Sequence, residues 1–457
     1  LLRTGARTTV STHVEGANAL HRSFRERTTL IIRSVWRQSG RVRRTLVVCA
    51  PFALLTILAV GCFTFGDRDH QRVVDQVDRP PPKIVTDRVV RVRLLSAARS
   101  KTLTLQVASD YELRAGPGGA IIEASAPALT QCEMAAAPDG GIMIGQRVYP
   151  ENDLLITPRR DASIIINGAS TYRGLLRITR DGAKLALTNH VDLESYLKGV
   201  LRGELPKHFH RESFKAQCVA ARTYVLYQMK SASGDRTFDV YDNEGSQMYI
   251  GVTGEGPKAL AAVEETTGEI CVWPNGDVDT LFCTYYSSAC GGQTQHVNNV
   301  KPRDPDVPPL AGHVICNDCY LATYYEWDPV TISKADLTRA IVKRYPSVAS
   351  IGEIRGLRPK EVEPGGHIVR MQLDGAKGDN ETLMGEDFRL CVGGHKLKST
   401  RFTIEDNGDS FTFRNGRGFG HGIGLCQNGM EVKARRGQDY RKILKTYYPG
   451  AEIRKLY

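Results

Sequence analysis

Between residues 91 and 189, apolar and polar positions alternate in short runs at 103–107, 121–124, 142–145, 153–158, 163–168 and 174–180. Turn formers at 116–119, 138–141, 167–168 and 181–182 separate these runs. Period-two alternation interrupted by Gly, Pro, Asn and Asp marks half-buried strands joined by tight turns, so 91–189 is predicted to be a β-rich subdomain. The period changes at Val191. Leu193, Tyr196, Leu197, Val200 and Leu201 fall at i, i+3 and i+4 spacing, which places them on one face of a helix. Gly203 and Pro206 end that helix and leave Glu204 just past it. A second helix is predicted over 212–229, with Phe214, Cys218, Ala221, Val225 and Leu226 inward. A third opens on Pro257 and runs to Thr266, and Ser333 caps a fourth that ends at Arg344. Strands at 269–273, 280–286, 367–373 and 399–406 fill the gaps. Helices and strands mix without a βαβ rhythm, so the fold class is α+β, with 190–457 as one mixed domain.

The amino-terminal pattern differs. Residues 45–66 contain no charged side chain and match the length that crosses a bilayer core, so they are expected to form a transmembrane helix or signal anchor. Arg41, Arg43 and Arg44 precede them, which keeps residues 1–44 on the cytoplasmic side as a basic terminus. The expected location is the cell membrane, single-pass, with the main domain on the extracytoplasmic (periplasmic or cell-wall) side. A cleaved signal peptide and a lipidated Cys62 are the alternatives, and both also export the remainder. Residues 67–90, with Pro80, Pro81 and Pro82, read as a stiff linker.

Charge then removes one function class. The net charge is +11, but residues 1–44 hold ten Arg against two Glu and so account for +8 of it. The remainder is close to neutral for its length, and no nucleic-acid partner is expected.

Three clusters carry candidate chemistry. The first is Leu201-Arg202-Gly203-Glu204-Leu205-Pro206, with Gln217, Arg222 and Tyr224 on the following helix. A carboxyl held in a partly apolar site between Gly and Pro suits proton transfer to a glycosidic oxygen, whereas a solvated Glu and a structural Arg are the plain reading. The second is Cys290 with Cys316-Asn317-Asp318-Cys319 and His296, a Cys₃His pattern for zinc. His313 and Cys283 are the other candidates for the fourth ligand, and a disulfide competes with the metal. Nine of the eleven cysteines follow residue 66, an odd number that cannot all pair with one another. Three thiolates and an imidazole would close such a site, making the zinc structural. The third cluster is the glycine-rich stretch from Gly416 through His421 and Gln427 to Gly429, which lacks the Lys-Ser/Thr of a phosphate loop.

Taken in order, these clusters resemble the SpoIID/LytB family of sporulation proteins and amidase enhancers. The likeness runs over roughly 90–457 and adds Val191-Asp192-Leu193, Ser246-Gln247-Met248-Tyr249, Ser287-Ser288-Ala289-Cys290-Gly291-Gly292 and Tyr447-Tyr448-Pro449-Gly450. The resemblance implies a peptidoglycan lytic transglycosylase in which Glu204 is acid and base at the MurNAc-GlcNAc bond and no cofactor enters catalysis. Gln217, Arg222, Tyr224, Gln247, Tyr249, His421 and Gln427 would then meet the glycan strand. The chain departs from the family pattern with Tyr286 in place of His, Cys426 in place of Ser and Asn428 in place of an aromatic. Two rivals follow: a non-catalytic glycan binder that enhances an N-acetylmuramoyl-L-alanine amidase, and a zinc hydrolase using His421 or His296.

Overall fold

The computed structural model describes residues 88–457 except 101 and 233–235. The basic terminus, the apolar segment 45–66 and nearly all of the linker 67–90 lie outside the described residues. Among the described residues, no helix is long and apolar enough to cross a membrane.

Alternation produces the predicted strands. In Val89–Arg93, Val90 and Val92 turn inward, and Leu105 and Val107 do the same in Leu103–Val107. A seven-stranded sheet runs in the order 240–241, 89–93, 184–192, 175–181, 153–158, 111–114 and 121–126. Its pairs are antiparallel except 89–93 with 240–241. A six-stranded sheet follows the order 170–172, 164–166, 103–107, 129–136, 142–144 and 147–149.

The first helix, α1 (Leu193–Glu204), grows directly out of the strand Lys184–Asp192. Asp192 caps it by accepting the backbone N–H groups of Glu194 and Ser195 at 3.1 and 3.2 Å. The helix extends one residue further than predicted, so Glu204 is its last residue. Helix α2 (Arg211–Ser231) is buried on most sides from Ser213 to Leu226, because α1, α3 (Pro257–Glu265), the strand Glu269–Asn275 and the helices Gln427–Arg435 and Tyr440–Tyr447 surround it. Helices α4 (Lys334–Arg344) and α5 (Gly385–Val392) come next, followed by α6 (Gln427–Arg435) and α7 (Tyr440–Tyr447). Ser333 caps α4 through the N–H of Asp336.

Two features differ from the sequence reading. Buried side chains of both sheets and of α1, α2, α6 and α7 form one continuous core, so 91–189 shares its interior with the helices. Conversely, 190–457 contains a second core built on Trp327, Leu337, Ile341, Phe388, Phe411 and Phe413. This second core is an insertion. Tyr286–Ser287, before it, pairs in parallel with Leu425–Cys426, after it. The predicted strand 280–286 is reduced to Val278–Thr280 and Tyr286–Ser287, because the chain between them packs into the core without a ladder partner.

Candidate active site

Glu204 ends α1 where the helix meets the segment 247–251. Two glycines set that approach. A Cβ on Gly203 would collide with the Met248 carbonyl oxygen, and one on Gly199 would strike the Tyr249 ring. With both absent, the Met248 N–H reaches Glu204 Oε1 at 2.7 Å. The parallel pair 286–287 and 425–426 brings Tyr286 and Gln427 to the same carboxyl from the other side. The Tyr286 hydroxyl donates to Oε1 at 2.9 Å, and Gln427 Nε2 lies 3.5 Å from Oε2.

A directed chain of hydrogen bonds stands behind this carboxyl. The Tyr196 hydroxyl donates to Gln247 Oε1 at 3.0 Å, Gln247 Nε2 donates to the Tyr286 oxygen at 3.1 Å, and Tyr286 donates onward to Glu204. Every member has a fixed role, so the chain orients Tyr286 as a donor. Burial raises the Glu204 pKa above its ordinary value, while the donors Met248, Tyr286 and Gln427 pull it back only in part. Burial also pushes the Tyr286 phenol well above its ordinary value, which keeps its proton on oxygen. Oε1 has two short donors and Oε2 only the long Gln427 contact, so Oε2 is the atom left to carry the carboxyl proton. The Glu204 side chain is partly open, with Pro206, Lys207 and His208 exposed beside it. A partly desolvated, singly placed carboxyl of raised pKa can act as a general acid.

The sequence-predicted residues divide into groups. Gln217, Tyr224, Gln247 and Gln427 gather around Glu204. Gln217 is fully buried, its Oε1 accepts from Gln427 Nε2 at 3.4 Å, and its own amide nitrogen has no protein partner. The Tyr224 ring packs edge-on against Tyr285 and Tyr286 at 6.2 and 6.4 Å. Gln247 is fully buried and supports Tyr286 from behind.

Two predicted glycan contacts are corrected. Arg222 is 0 % exposed, and its guanidinium is bidentate on Glu194 at 2.8 and 2.7 Å with a third bond to the Glu269 carbonyl. Its charge is consumed by internal partners, so it braces α2 against α1 and the strand Glu269–Asn275. Tyr249 is 3 % exposed, donates its hydroxyl to Asn189 Oδ1 at 2.9 Å and stacks between Tyr172 and Tyr196. It fills the gap left by Gly199 and does not face the carboxyl.

His421 sits one layer away. Its Nδ1 accepts the Ile423 N–H at 3.1 Å and its ring meets Tyr285 edge-on at 5.8 Å. Burial lowers its pKa to about 4, which keeps the imidazole neutral.

The metal set is also corrected. The thiols of Cys290, Cys316, Cys319 and Cys426 are buried and lie within 4.8 Å of one another. His296 is elsewhere: its Nδ1 accepts the Asn298 N–H at 3.1 Å and its Nε2 lies 3.2 Å from Asp306. His313 is exposed, and the Cys283 sulfur accepts from Gln228 at 3.6 Å. All nine cysteines among the described residues are unpaired. Cys426 escaped the sequence reading because it was grouped with the glycine-rich stretch, over a hundred positions from the Cys-x-x-Cys pair. Tyr286 stands out in the sequence only as a departure from the family pattern, and nothing local points it at Glu204, 82 positions away.

Comparison with known proteins follows the same outline. The family described as Stage II sporulation protein, SpoIID, matches residues 181–273, the stretch that holds Glu204, α2 and the 247–251 segment. A domain of unknown function, DUF8618, matches 317–424, which spans the second core. An uncharacterized protein of Brachyspira hyodysenteriae is 32% identical over 294 residues, covering 63% of this chain and 73% of that protein. The Stage II sporulation protein D of Bacillus subtilis is 28% identical over 290 residues, 58% of this chain and 75% of that one. The Amidase enhancer of the same organism is 28% identical over 302 residues, 56% of this chain and 40% of that one. With the motif order, the matched region and these relatives in agreement, the chain belongs to the SpoIID/LytB family.

Proposed function

We propose that this protein is a peptidoglycan lytic transglycosylase that cleaves the MurNAc-GlcNAc bond with Glu204 as the acid and then the base. The observation that carries the reading is the state of that carboxyl: raised in pKa, loaded by two short donors on Oε1 and met on Oε2 by the long Gln427 contact. In this reading the Oε2 proton passes to the glycosidic oxygen as its bond to the muramyl C1 breaks. The muramyl 6-hydroxyl oxygen then bonds to C1, and its proton returns to the Glu204 carboxylate. The products are a free GlcNAc hydroxyl and a 1,6-anhydro end, with no water consumed. Hydrolysis of a glycoside ordinarily uses two carboxyl groups, one to protonate and one to activate water or attack. An internal hydroxyl removes the need for the second, and among the described residues the hydrogen-bond partners of Glu204 include no other carboxylate.

Met248 and Tyr286 stabilise the carboxylate formed after the first proton transfer, which keeps one group competent in both directions. Gln427 supplies an amide at the same place, suited to sugar hydroxyls and acetamido groups, and the fully buried Gln217 supports it from behind by accepting from its Nε2 at 3.4 Å. The same proposal places the domain outside the cell membrane, anchored through 45–66 and acting on glycan strands.

A second reading rests on the relative named Amidase enhancer. In it the protein binds glycan and stimulates an N-acetylmuramoyl-L-alanine amidase, and Glu204 only accepts hydrogen bonds. One experiment separates the two. The purified full chain is incubated with peptidoglycan and with amidase-stripped strands, and products are analysed by mass spectrometry. Release of 1,6-anhydro-muramyl ends that vanishes with Glu204→Gln supports the transglycosylase. Glycan binding without release, equal in protein and variant, supports the enhancer.

A further inference from the structure

We propose that Cys290, Cys316, Cys319 and Cys426 form a mononuclear tetrathiolate zinc site that holds together the two chain segments carrying Tyr286 and Gln427. The spacing fits. A zinc tetrahedron with Zn–S bonds of about 2.3 Å has sulfur–sulfur edges of about 3.8 Å. The Cys290 and Cys319 sulfurs are 3.7 Å apart, and all four lie within 4.8 Å of one another. A disulfide needs a sulfur–sulfur distance of about 2.05 Å. A polynuclear cluster, whose thiolates sit on different metal atoms, needs a wider set.

The surroundings suit thiolates. The backbone N–H groups of Cys290 and Gly429 each point to Cys426 Sγ at 3.4 Å, and the Tyr447 hydroxyl lies 3.1 Å from Cys316 Sγ. Donors aimed at ligand sulfurs offset part of the charge of a four-thiolate site. The Cys316–Cys319 turn is anchored independently of any metal. Cys316 N–H donates to the Gly292 carbonyl at 2.9 Å, and Asp318 between the cysteines pairs with Lys433 at 2.9 Å and with Arg436 beyond the end of α6. Space is fixed as well: a Cβ on Gly429 would meet both Cys316 Sγ and the Tyr447 hydroxyl.

Four thiolates leave no open coordination position, so the metal is structural. Its placement gives it a consequence for the carboxyl. Cys290 follows the strand that carries Tyr286, and Cys426 immediately precedes Gln427, so one ion bonded to both fixes the register of that parallel pair. Cys316 and Cys319 tie in the start of the inserted region. The four cysteines are therefore positioning residues, separate from the proton-transfer machinery.

The test uses the full chain expressed with added zinc and purified under reducing conditions. Elemental analysis should find about one zinc per chain, and cobalt substitution should give the sulfur-to-cobalt charge-transfer bands of a tetrahedral thiolate site. Cys319→Ser should drop the metal below about one-tenth equivalent, and His296→Ala should retain it. Should Cys319→Ser fail to fold, peptide-resolved alkylation of the unaltered protein decides. These four cysteines should be protected until a chelator is added, while Cys132 and Cys391 react throughout. Metal-free protein with these thiols reactive, a disulfide among the four, or loss of metal in His296→Ala overturns the proposal.

Discussion

The Tyr286 hydroxyl and Glu204 Oε1 are 2.9 Å apart, with Gln247 supplying the donor that fixes which way the phenol proton points. A hydrogen bond to a charged group contributes about 1.5–3 kcal/mol, and this one favours the ionised carboxyl. Tyr286→Phe should therefore raise the Glu204 pKa further. The rate of glycan release should fall by about tenfold or more, and the basic limb of the pH profile should move to higher pH. A lower rate with an unmoved limb would mean that Tyr286 acts on something other than Glu204.

Glu204 itself should show a signature in stability. Its folded-state pKa is raised above 4.5 by burial, so the ionised form is disfavoured on folding. Below that ordinary value the side chain is neutral in both states and costs nothing. As pH rises from there through the folded pKa, stability is lost, and the loss persists at higher pH. Glu204→Gln should thus be more stable than the parent at about pH 7, and the gap should narrow at about pH 4. Denaturant unfolding at both pH values measures this. The same variant should lose about 10²–10⁴-fold in glycan cleavage.

Gly203→Ala gives a test of the close approach. In an unconstrained helix this change stabilises by roughly 0.5–1 kcal/mol. Here the new Cβ would collide with the Met248 carbonyl, so the sign should reverse, at a cost of about 1–3 kcal/mol. Activity should fall with it, since displacing 247–251 removes the Met248 N–H from Oε1. Thermal melts that show stabilisation would contradict the packing described.

Arg222→Gln separates bracing from binding. Leaving Glu194 without its buried partner should cost about 3–5 kcal/mol of stability. Whatever fraction stays folded should keep its KM for glycan strands, because Arg222 has no exposed atom to offer them. A raised KM at unchanged stability would restore Arg222 as a glycan contact.

What the sequence determined by itself was local. The face of α1, the Pro257 start of α3, the Ser333 cap of α4 and the alternation in strands such as Leu103–Val107 were legible because each depends on neighbours within one or two turns. Glu204 was legible because Gly203 and Pro206 frame it in the chain. The tertiary structure decided which side chains meet that carboxyl: Tyr286 is 82 positions away and Gln427 is 223. It turned Arg222 and Tyr249 inward, because Glu194 and Asn189 satisfy their polar groups inside the fold. It also replaced His296 by Cys426 in the thiol cluster and gave the inserted region its own core. Periodicity reports which face of an element is buried. It carries no information about which distant element covers that face, and at this site the distant elements supply the chemistry.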